Sequence, residues 1–252
     1  MKFQHKVSRG SRFNQIYIPS GMQQYFQAGD IVEVRLIEKM ASLFYSKNLK
    51  EISEFKEKLA KEIFLSLKEF DIERAFLVGS FLTKKVDYND IDLFIVSDKE
   101  NEEKIYDFLV EKFNLKFHIL VIKEENFSKL IEICPLTRSM LFYYISDKEF
   151  KSLPKRVLDR KHINFLLMMP KDLLEVKLES RIFYDSIRRL FVIDYFLRGK
   201  DEDMCKIDAD IEKLVGKNLF ELIRRNGAIT DKGLLLLRKI IKQKLNLIQD
   251  RL

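Results

Sequence analysis

Residues 74–78 (Arg-Ala-Phe-Leu-Val) and 91–96 (Ile-Asp-Leu-Phe-Ile-Val) are apolar runs of five and six residues. Runs this short read as buried strands, not helices, because Gly79-Ser80 closes the first and a turn at Asp87-Tyr88-Asn89 precedes the second. Their neighbours have a different period. Residues 50–70 place Ile52, Phe55, Leu59, Ile63, Leu67 and Phe70 at three- and four-residue steps, which predicts an amphipathic helix. A helix over 102–113, a strand over 116–122 and a helix opening near 127–133 follow. Helix, strand, strand, helix, strand in this order predicts an α+β fold with a small mixed sheet.

Composition narrows the alternatives. The 252 residues carry only 8 Gly and 4 Pro, which argues against an all-β sandwich or long linkers and for long helices. With 46% hydrophobic residues, 21 Phe and 9 Tyr, burial can offset the entropy of ordering the chain. No uncharged apolar run approaches the ~18 residues of a membrane span, and the first ten residues lack the apolar core of a secretory signal; a cytoplasmic protein is expected. Cys134 and Cys205 form no CxxC pair, so both are expected to be ordinary buried thiols. A net charge of +7 suits a polyanionic partner such as nucleic acid or a nucleoside triphosphate, but solubility explains it as well.

The pattern with specific chemistry is Val78-Gly79-Ser80, nine residues, then Asp90-Ile91-Asp92. Side chains alternate along a strand, so Asp90 and Asp92 share one side, about 7 Å apart, while Ile91 points into the core. Two such carboxylates suit a hard divalent ion. Glycine permits close backbone approach, and the Ser80 hydroxyl with neighbouring amides can bind phosphate oxygens. Lys84 and Lys85 follow, either meeting those phosphates or facing solvent.

These residues resemble the DNA polymerase β-type nucleotidyltransferase superfamily, in particular its minimal members, over roughly residues 50–125. The signature there is hydrophobic-Gly-Ser, a spacer of about ten, then Asp-x-Asp. The resemblance implies Gly79, Ser80 and Lys84 as nucleotide-binding residues and Asp90 and Asp92 as catalytic ligands of Mg²⁺ (or Mn²⁺). It implies transfer of a nucleoside monophosphate from a nucleoside triphosphate to a protein, RNA or small acceptor. The family usually places a third carboxylate on the next strand, where this chain has His118. Histidine there can be a general base, a ligand for a softer metal, part of a non-catalytic nucleotide site, or plain packing.

At the N-terminus, residues 13–18 and 31–36 alternate like strands, separated by Pro19 and Gly29-Asp30. This stretch resembles an AbrB/MazE/SpoVT swapped hairpin, which implies a homodimer and makes Lys6, Arg9, Arg12 and Arg35 candidates for contacting DNA. The alternative is a hairpin used only for dimerisation or packing. From residue 151 onward the pattern is helical: 173–197, 211–223 and 232–252. Arg181, Arg188 and Arg189 lie in the longest helix, either lining an acceptor cleft or facing solvent. Arg156 and His162 match the Arg-x5-His spacing of HEPN ribonucleases, but that stretch precedes the predicted helices and is discounted. The expected organisation is a β-hairpin domain over 1–40, a nucleotidyltransferase-like domain over 41–150 and a helical domain over 151–252. The competing expectation is a DNA-binding regulator or antitoxin-type protein whose nucleotidyltransferase-like domain senses nucleotide or is inactive.

Overall fold

The computed structural model describes residues 3–27, 29–35, 41–83, 90–176 and 178–252. By contacts the chain divides into two compact units, 1–39 and 40–252.

The larger unit is built on a five-stranded mixed sheet of order β3(Phe44–Tyr45), β7(Ile145–Ser146), β4(Arg74–Val78), β5(Ile91–Val96), β6(Phe117–Ile122). Every neighbouring pair is antiparallel except β5 and β6, which are parallel. The parallel pair needs a crossover, and α2 (Glu102–Phe113) supplies it. Asn101 caps α2 with its side chain, and left-handed Asn114 ends it, so the helix spans the range its sequence predicts.

Alternation sorts the strand residues between two cores. Ala75, Leu77, Ile91, Leu93, Ile95, Phe117 and Ile119 pack on one face with Ala60, Ile63 and Phe64 of α1 (Glu54–Ser66) and Ile105 and Leu109 of α2. Phe76, Val78, Phe94 and Val96 pack on the other with Phe127 and Ile131 of α3 (Glu124–Ile133), Leu141 and Tyr144. Phe76 sits among Phe94, Phe127, Tyr144 and Phe150, with ring centroids 5.4–6.3 Å apart. Burial on both faces is why these strands read as continuous apolar runs.

A separate helical core follows. It draws on α4 (Pro135–Met140), α5 (Arg160–Leu166), α6 (Met168–Asp172), α7 (Ser180–Leu197), α8 (Met204–Val215), α9 (Lys217–Arg224) and α10 (Asp231–Gln249). Helix α7 starts seven residues later than its pattern predicts, because 173–176 close a separate turn after α6. Buried Asp194 of α7 anchors this core, receiving Arg198, Lys244 and Arg251. Buried Glu202 likewise receives Arg138 and Arg156. Arg156 precedes α5, which carries His162, so the two do not share a helix. Cys134 is buried as expected, but Cys205 is exposed in the first turn of α8.

The smaller unit differs from its sequence pattern. Its paired strands are β1(Ser8–Arg9) and β2(Asn14–Gln15), a short antiparallel hairpin, and residues 20–25 form a 3-10 helix. Among the described residues, 31–35 pair with no strand, and Ile31, Val32 and Val34 are exposed. Alternation specifies which face a strand would bury but supplies no ladder partner. No helix among the described residues is long and apolar enough to cross a membrane.

Candidate nucleotide site

The ends of β4, β5 and β6 meet at one edge of the sheet. Val78 is directly opposite Asp92 in the antiparallel pair, and Asp92 is beside His118 in the parallel pair. The chain leaves β4 at Gly79 and makes a single 3-10 turn, Gly79–Leu82, whose Phe81 and Leu82 are buried.

Gly79 has φ +75, and a Cβ built there would overlap Asp92 Oδ2 and lie 2.8 Å from its Cγ. Only glycine leaves room for this carboxylate while accepting the left-handed turn. The Ser80 backbone amide also acts on the Asp92 carboxylate, favouring its ionised form. On the other side, His118 Nδ1 is 3.1 Å from Asp92 Oδ1. An ionised carboxylate only accepts, so Nδ1 carries the hydrogen in this contact and Nε2 is the ring nitrogen it leaves unused. The His118 side chain is 72% exposed, against 25% for Asp92. That rules out plain packing as its role.

Burial raises the Asp92 pKa above the ordinary carboxylate range, and the neighbouring charge of Asp90 pushes it the same way. The bond to His118 and the Ser80 amide oppose that rise. Ile91 is buried in the core shared with α1 and α2, as the alternation predicts. Asp90, Asp92 and His118 do not gather into a three-ligand cluster, nor does any other His, Cys, Asp or Glu set among the described residues. The donor set still fits a Mg²⁺-type ion, which is held by one or two protein carboxylates with substrate phosphates and water completing its shell. Lys84, Lys85 and the 87–89 turn lie outside the described residues.

Residues 57–165 match the family model of the nucleotidyltransferase domain. The middle of this chain is a nucleotidyltransferase domain of the polymerase β type. Among solved structures, the chain is similar to spectinomycin adenyltransferase from Enterococcus faecialis, crystallised with ATP and spectinomycin. That likeness has 12% identity and a TM-score of 0.49, covering 77% of this chain and 100% of the other. No curated protein matches the sequence.

Arg181 bonds Asp185 and the Arg224 carbonyl, and Arg188 pairs with Asp208. Lys6, Arg9, Arg12 and Arg35 are exposed in the small unit. Sequence reasoning missed Lys56 of α1. It is 6% exposed, and its Nζ donates to the Thr83 carbonyl at 2.8 Å.

Proposed function

We propose that this protein transfers a nucleoside monophosphate from a nucleoside triphosphate to a hydroxyl-bearing protein, RNA or small-molecule acceptor. The observation that carries the proposal is the Asp92 carboxylate, seated in the space left by the missing Gly79 side chain and within hydrogen-bond distance of His118.

Each group has a task that its chemistry fits. The Ser80 hydroxyl and the amides of the 79–82 turn bind phosphate oxygens, since a tight turn presents its N–H groups to an anion. Asp90 and Asp92 would hold Mg²⁺ or Mn²⁺, which when bound supplies positive charge to the triphosphate. His118 Nε2 takes the proton of the acceptor hydroxyl while that oxygen bonds to the α-phosphorus. The bond from the α-phosphorus to the bridging oxygen breaks, and pyrophosphate leaves. Asp92 fixes the ring by accepting from Nδ1.

The test is incubation with each α-labelled nucleoside triphosphate, Mg²⁺ or Mn²⁺ and cell extract, followed by a search for label on protein, RNA and small molecules. Label that disappears in Asp90→Asn and Asp92→Asn supports the reading; no label with any nucleotide refutes it.

The small unit supports a separate proposal, a homodimer in which a second copy pairs with residues 31–35. The exposure of Ile31, Val32 and Val34 favours it. Light scattering that finds only monomer refutes it. DNA contact through Lys6, Arg9, Arg12 and Arg35 is tested by binding against salt, where a shallow slope argues against phosphate recognition.

A further inference from the structure

The structure assigns Lys56 of α1 as a positioning residue that sets the phosphate-facing turn against the Asp92 carboxylate, an inference that rests on the nucleotidyl-transfer reading above.

Lys56 occupies the first turn of α1, where the Ser53 hydroxyl caps the helix by accepting from the Lys56 N–H. From there its side chain runs inward, although lysine normally keeps its ammonium in water. The residue is 6% exposed, and its Nζ lies 5.5 Å from the centroid of the buried Phe81 ring and 2.8 Å from the Thr83 carbonyl oxygen. Burial of a cation is costly, so a lysine held this way is specified by its surroundings.

The bond to Thr83 is the first in a continuous series. Thr83 donates to the Ser80 carbonyl twice, from its backbone N–H at 3.0 Å and from its hydroxyl at 2.7 Å. Gly79, the residue before Ser80, packs directly against the Asp92 carboxylate. Lys56 therefore clamps the far end of the turn to α1, while Gly79 at its near end abuts Asp92. Phe81 and Leu82 anchor the middle through apolar contact, which sets depth but not rotation; hydrogen bonds set the direction of the turn's N–H groups. A turn whose amides point correctly before nucleotide arrives binds without reorganising first.

Lys56→Met keeps the length of the side chain and removes the ammonium; Lys56→Arg restores a cationic donor. Hydrogen exchange in the nucleotide-free protein is read at residues 79–83 and at the flanking strands, and KM and kcat are measured with nucleoside triphosphate. In Lys56→Met the Thr83 amide is expected to exchange at least tenfold faster, with β4 and β5 as protected as in the wild type. The KM for nucleotide is expected to rise five- to tenfold while kcat changes less than threefold, and Lys56→Arg recovers most of both effects. If Lys56→Met does not fold, Lys56→Gln is read the same way. Unchanged Thr83 protection, or a fall in activity that only follows the folded fraction, overturns the assignment. A wild-type protein that transfers no nucleotide overturns the functional reading instead, and the exchange experiment then still decides whether Lys56 holds the turn.

Discussion

Replacing Gly79 by alanine separates backbone strain from displacement of Asp92. Gly79 and Gly199 both have positive φ, +75 and +67, but their surroundings differ. At Gly199, just after α7, an added Cβ would approach only the Arg156 Nη1, at 4.0 Å. Gly199→Ala therefore carries the left-handed penalty alone, about 1–2 kcal/mol. At Gly79 the same methyl group would overlap Asp92 Oδ2 and crowd its Cγ, forcing the carboxylate to rotate away from the Ser80 amide and His118. Losing a bond to a partly exposed carboxylate adds about 1 kcal/mol, so Gly79→Ala is expected to cost about 2–3 kcal/mol. Urea unfolding of both variants measures the difference. Label transfer measures the consequence, since Gly79→Ala should lose about 100-fold or more while Gly199→Ala stays near wild type at temperatures where both are folded. Equal stability losses, with full transfer by Gly79→Ala, would refute the claim that glycine is there to admit Asp92.

Asp92→Asn is expected to abolish transfer without lowering the melting temperature, because burial and Asp90 already disfavour the charged form; a large thermal loss in a calorimeter would contradict this. Removing Asp194 as Asp194→Ala leaves Arg198, Lys244 and Arg251 facing a site with no anion, which should cost about 3–5 kcal/mol in urea unfolding. His162 has its pKa lowered by burial, so the folded protein holds it neutral. Its contribution is therefore present above the unfolded value of about 6.5 and is lost as pH falls through the folded value. Unfolding curves at a series of pH values should show that loss, and His162→Phe should flatten it.

The legible parts of the fold are those where local pattern and tertiary demand agree. Arg74–Val78 and Ile91–Val96 are strands with the predicted bounds because both faces are buried, leaving no competing register. The pairing of Asp92 with His118 was partly readable, since the third strand placed a histidine where the family usually has an acid. The Asp92 seat at Gly79 was not readable, because it depends on the antiparallel register of β4 with β5. Lys56 was hidden for a similar reason: on an amphipathic helix a lysine reads as solvent-facing, and its acceptor lies 27 positions away in the chain. Residues 31–35 mark the opposite failure, a clear alternation for which the described residues offer no neighbouring strand.

The parallel register of β5 and β6 has a consequence for how such a protein changes over time. Position 118 stands beside Asp92 because of backbone pairing that its own side chain does not help maintain, and it projects mostly into water. A single codon change there would replace the group beside Asp92, or erase it, while the hydrophobic layers beneath remain intact. The scaffold and the side chain at this edge are thus free to drift separately, so under the transfer proposed above, activity could be gained or lost without refolding.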